Sequence, residues 1–152
     1  MRHFWIFVHL LGFTMWMGGG LAAMFIGLGA KREARESLGV IMRQLAIIYR
    51  VLVLPGTMAT VVSGLVLTLT IYGNPGASLA VSSSLMTMQG FGLIAAVITL
   101  VMMVPNVSKL VRIDPVTQAA QFDAIRQKQS RLGMLSGILA MLALIAGALG
   151  RP

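Results

Sequence analysis

The sequence contains no cysteine, which excludes disulfides, thiolate metal sites and cysteine nucleophiles. Histidine is almost as scarce, with only His3 and His9. Acidic residues number four, at Glu33, Glu36, Asp114 and Asp123, and none lies inside a long apolar run. That argues against a proton-coupled carrier of the kind that buries a carboxylate in the membrane. Charged residues make up 11% of the chain, against about 25% in an ordinary soluble domain. No glycine loop of the phosphate-cradling type is present, and no serine, histidine and acid can be assembled into a hydrolytic set.

What the chain has instead is 57% hydrophobic residues over a single 152-residue domain. They gather into four apolar runs: Phe4 to Gly29, Leu45 to Tyr72, Leu85 to Val104 and Leu132 to Gly150. Each is close to or above the ~20 residues that carry a helix across ~30 Å of hydrocarbon. The alternating polarity of barrel strands is missing. The expected fold is therefore all-α, a bundle of four transmembrane helices over about 4–29, 45–72, 85–110 and 115–150. The first run has a signal-peptide flavour, but its apolar stretch continues past any plausible cleavage point, so it reads as a retained span.

The net charge of +8 does not point to nucleic acid. The basic residues sit in two connectors, Lys31, Arg32, Arg35, Arg43 and Arg50 in the first, and Lys109, Arg112, Arg126, Lys128 and Arg131 in the second. The connector from Gly73 to Ser84 carries no charge, and the ends add only Arg2 and Arg151. Ten of twelve basic residues thus fall on one side, which the positive-inside rule makes cytoplasmic, with both termini outside. The setting this implies is a multi-pass protein of a bacterial inner membrane, with the lipid bilayer as its first partner.

Local signals refine this picture. Asp114-Pro115 combines an N-cap acceptor with a proline suited to the first helical position, so the fourth helix is expected to start there and project into the cytoplasm, with a weak point at Gly133. Pro55-Gly56 should bend the second helix. The stretch Lys31 to Met42 has the pattern of a segment lying partly in the interface.

Helix 1 holds the candidate chemistry. His9 and Trp16 are seven residues apart and share a face, with Gly12, Gly19, Gly20, Ala23 and Gly27 on or beside it. Such small residues allow close helix approach in lipid, which should turn His9 into the bundle. An ionisable side chain there is a functional candidate; the plain alternative is a neutral histidine bonded to a neighbouring helix. As a metal or haem ligand, His9 would need a methionine, an open position or a second chain opposite it. Twelve methionines, with Met15/Met17 and Met86/Met88 as M-x-M pairs, raise Cu(I) as a further reading. Arg50 either snorkels to the interface or binds a carboxylate such as a porphyrin propionate. Gln89 is the only amide within the apolar runs and lies at a depth where it could meet His9.

The pattern His9-x-x-Gly12-x-x-x-Trp16-x-Gly18-Gly19 resembles the opening helix of small bacterial membrane proteins that include HemJ-type protoporphyrinogen oxidases and copper-resistance-D-like domains. Tyr49-Arg50-x-x-x-x-Pro55 followed by Ser63-Gly64 is similar to the second helix of the same group. The resemblance covers the first half of the chain. It implies haem b on His9 and a redox role; Trp16, Arg50 and Gln89 are the further candidate cofactor-binding residues on the reading of the residues above. Where that family carries a lysine early in helix 3, this chain has Met86-Thr87-Met88-Gln89-Gly90. Two other functions fit the sequence: a non-catalytic subunit packing against other membrane proteins or against its own copies, and a copper transport or tolerance role.

Overall fold

A computed structural model describes residues 1–72 and 83–149. Among these the chain is mostly helical, with connectors at 30–34 and 111–118 and no strand. In order come α1 (Arg2–Gly29), α2 (Arg35–Ile48), a π-helical segment (Tyr49–Val53), α3 (Leu54–Tyr72), α4 (Ser83–Val97), a second π-helical segment (Ile98–Met103), α5 (Val104–Leu110) and α6 (Ala119–Leu149). They form four spans of membrane-crossing length and apolarity: Arg2–Gly29, Arg35–Thr70, Ser83–Leu110 and Ala119–Leu149. Most of the uncharged connector, Asn74 included, lies outside the described residues, as do Gly150 and Arg151.

Two boundaries differ from the sequence reading. The second span starts at Arg35, well before the apolar run. Leu38, Met42 and Leu45 recur at helical spacing and are buried, so this stretch is regular helix packed into the bundle. At the fourth span, regular helix begins at Ala119, not at Pro115. Asp114 Oδ1 accepts from the Val116 N–H at 2.8 Å, and Gln118 N–H donates to the Asp114 carbonyl at 3.0 Å. The aspartate thus caps a turn over 115–118, and the helix follows it. Gly133 interrupts nothing; α6 runs through it unbroken.

Both inner prolines follow a π segment. Proline has no N–H for the carbonyl four residues back. In each case the preceding turn is widened: Leu54 N–H reaches Tyr49 O just before Pro55, and Val104 N–H reaches Thr99 O just before Pro105. A π turn takes in one extra residue, which resets the face that the following helix presents.

The four spans pack as two antiparallel pairs. In the first pair, α1 and α3 touch backbone to backbone: a Cβ at Gly12 would sit 2.9 Å from Gly56 O and Thr60 N, and one at Gly56 would sit 2.7 Å from Trp16 N. At Gly19 the neighbour is a side chain: an added Cβ would sit 2.9 Å from Val53 Cγ2. Gly20 and Gly27, which the sequence places on or beside this face, have nothing within 4 Å of a would-be Cβ. In the second pair the register runs Met88 with Gly147, Gly92 with Ala143, Thr99 with Ser136, and Met103 with Gly133. Three side-chain links among the described residues join the pairs. Arg35 bonds Asp123 at 2.7 Å and the Pro115 carbonyl at 3.3 Å. Gln129 Nε2 donates to the Tyr49 hydroxyl at 3.0 Å. Gln89 Nε2 donates to Thr68 Oγ1 at 2.6 Å. Large apolar side chains such as Phe7, Leu21, Phe25, Leu65, Val101 and Ile138 remain on the outside, where lipid would meet them.

Candidate functional site around His9

His9 projects from α1 onto α3, as its shared face with Trp16 foretold. Its Nδ1 lies 3.0 Å from the Thr60 carbonyl oxygen and 3.1 Å from Ser63 Oγ. Ser63 Oγ already donates to the Ala59 carbonyl one turn earlier. Two acceptors therefore face Nδ1, which assigns the proton to it and leaves Nε2 with a bare lone pair. Nε2 has no hydrogen-bond partner among the described residues. Gly64 is what lets the ring lie flat on α3, since a Cβ there would come within 3.1 Å of His9 Cε1. The ring is half-buried.

The local sequence explains the acceptor array. Thr57, Thr60 and Ser63 are spaced along one face of α3, and all three are buried. Each hydroxyl bonds back to a carbonyl of the preceding turn: Thr57 to Val53, Thr60 to Gly56, Ser63 to Ala59. Hydroxyls satisfied in this way are accommodated in lipid and can still accept a further bond.

The other candidate residues do not join His9. Trp16 is 5% exposed and sits in the core, its ring edge-on to Phe13 at 6.4 Å. It fills the α1–α3 seam two turns from His9. Arg50 is exposed and belongs to the basic end of the bundle, while His9 lies in the opposite half. Gln89 is exposed and committed to Thr68, so it does not partner His9. The M-x-M pairs also stay apart: Met15 lies beside Gly56 in the first pair, and Met88 beside Gly147 in the second. Among the described residues no three histidine, cysteine, aspartate or glutamate side chains gather as a metal site.

The buried amides are elsewhere. Asn106 and Gln129 are each 7% exposed, near the basic end and outside the apolar runs. A signal for Gln129 exists in the sequence: Phe122, Gln129, Ser136 and Ala143 recur every seven residues, and all four are buried. Asn106 has no comparable marker.

Compared with family models, with curated proteins and with solved structures, the chain matches none.

Proposed function

We propose that the chain is a four-span protein of the bacterial inner membrane, N-out and C-out, that holds haem b through Nε2 of His9 and serves in electron transfer. The observation that supports this is the clamp on Nδ1. Metal-ligating histidines characteristically give their other ring N–H to a carbonyl or carboxylate, which fixes the tautomer and the ring plane. His9 has that arrangement, with Thr60 and Ser63 as holders and Nε2 unspent. When bound, haem would supply one-electron chemistry. The chain's own contribution would be the Nε2 nitrogen of His9, its ring held by the Thr60 carbonyl and the Ser63 hydroxyl. Arg50, exposed near the basic end, does not fit as a propionate partner for a group on His9. Any second ligand would come from a methionine, from water or from a second copy of the chain.

Protein purified from haem-replete cells should show a Soret band. His9→Ala should abolish it while far-UV circular dichroism and membrane insertion stay unchanged, because four apolar spans drive insertion without the imidazole. A colourless wild-type protein sinks the haem reading.

The second reading is an accessory subunit that packs against a larger membrane complex. It is favoured by Gly18, Gly20 and Gly27 on α1, whose missing side chains face open space and would admit a neighbouring helix. A colourless protein that co-purifies with other membrane subunits would support it.

A further inference from the structure

The second polar centre of the bundle is unrelated to His9. The register of the second helix pair, continued from Met103 opposite Gly133, sets Asn106 level with Gln129. Gln129 in turn bonds Tyr49 of the second span, so three spans meet at this level. Arg126 lies one helical turn further along the same face of α6. Three buried polar atoms on these neighbouring turns have no partner among the described residues: Asn106 Nδ2, Arg126 Nη2 and Gln129 Oε1. Buried polar atoms are nearly always satisfied, and each orphan is unfavourable unless something completes it. Tyr49 opens one π segment and Asn106 follows the other, and such segments often mark functional positions.

We propose that this centre binds a phosphate oxyanion. Asn106 and Arg126 offer two N–H donors, one of them charged. Gln129 can offer a third, because a half-turn of its amide moves Nε2 inward while Oε1 accepts from the Tyr49 hydroxyl, which donates as readily as it accepts. The surroundings favour an anion: Arg50, Lys109 and Arg131 lie within three residues of Tyr49, Asn106 and Gln129 in sequence, and Asp123, the acidic residue nearest Arg126 in sequence, is spent on Arg35. Charge-assisted donors of this kind are a common phosphate grip. The centre also sits where the apolar runs give way to the basic connectors, which is the depth of lipid headgroups. A phospholipid headgroup and free phosphate present the same oxyanion, and experiment separates them. The inference does not depend on a haem at His9.

The test uses the full chain, delipidated in neutral detergent and titrated separately with phosphatidylglycerol and with inorganic phosphate. Binding is read by native mass spectrometry and by the thermal unfolding midpoint. Saturable binding of the lipid alone identifies a headgroup site; saturation by inorganic phosphate as well identifies a free-anion site; both support the proposal. Arg126→Gln and Asn106→Leu should each weaken binding about tenfold or more. Lys128→Gln, which removes one charge from the exposed surface, should leave it unchanged. Should Asn106→Leu fail to fold, Asn106→Asp gives the same answer by setting a like charge against the anion. Absence of saturable binding to the wild type with either probe overturns the proposal. So does equal weakening by Lys128→Gln and Arg126→Gln, which would mean diffuse surface attraction only.

Discussion

Gly56 and Gly18 form a matched pair of tests at the scale of one residue. In a helix, alanine is favoured over glycine by about 1 kcal/mol. At Gly18 nothing lies within 4 Å of the added carbon, so Gly18→Ala should be neutral or stabilising by up to that amount. At Gly56 the carbon would fall 2.7 Å from Trp16 N and 2.8 Å from Gly12 O, backbone atoms that cannot step aside. Overpacking of this kind costs about 1–3 kcal/mol, so sterics outweigh propensity and Gly56→Ala should destabilise. Denaturant unfolding in detergent distinguishes the two; a stabilised Gly56→Ala would mean that α1 and α3 are not in backbone contact. Tyr49→Phe is a second residue-scale test. It strands Gln129 Nε2, whose only partner among the described residues is the Tyr49 hydroxyl, and should cost about 1 kcal/mol by the same measurement. His9 itself was legible in the sequence, because its seven-residue spacing from Trp16 fixes a shared face. Its partners were not, because which turn of α3 it meets depends on the register of the pair.

At the scale of elements, the turn over 115–118 is governed by Asp114. The Val116 N–H, with help from Thr117, holds the Asp114 carboxyl below the ordinary aspartate range. A depressed pKa means that the charged form is favoured in the folded turn. The turn's stabilisation is therefore complete above the unfolded aspartate pKa of about 3.9 and is lost as pH falls through the lower folded value. Hydrogen exchange at Val116 and Gln118 should accelerate in acid below that range, and at neutral pH in Asp114→Ala. Protection beyond Ala119 should persist in both cases. Loss of protection along the whole of α6 in Asp114→Ala would mean that the aspartate caps the helix itself. The sequence carries the Asp-Pro start signal but does not distinguish a cap on the helix from a cap on a turn before it. That choice is made by the Arg35 contacts to Asp123 and the Pro115 carbonyl, which come from another span. Likewise Pro55 and Pro105 announce a break in each helix. That the chain answers with π turns follows from the burial of Tyr49, Val53, Thr99 and Met103, which the widened turns keep facing inward.

For the whole molecule, the division of basic residues predicts the topology. Reporter fusions at Arg35 and Arg126 should report the cytoplasm, and a fusion at Asn74 the periplasm. A cytoplasmic signal at Asn74 would invert the orientation. The sequence by itself determined the class of the protein: all-helical, four spans, basic connectors at one end, no cysteine and no acid within an apolar run. Apolar run length and charge position suffice for that, because backbone polar groups in lipid leave helices as the only solution for such runs. It also turned His9 inward, since 3.6-residue periodicity is a local property. What only the tertiary structure decided is which side chains meet. Gln89 goes to Thr68 and not to His9, Arg50 stays outside, and Asn106 and Gln129 are buried although they lie beyond the apolar runs. Those outcomes depend on helix register and on one-residue shifts at two π turns. No composition or spacing within a single helix encodes them, because each is the joint result of two spans packing to closest approach.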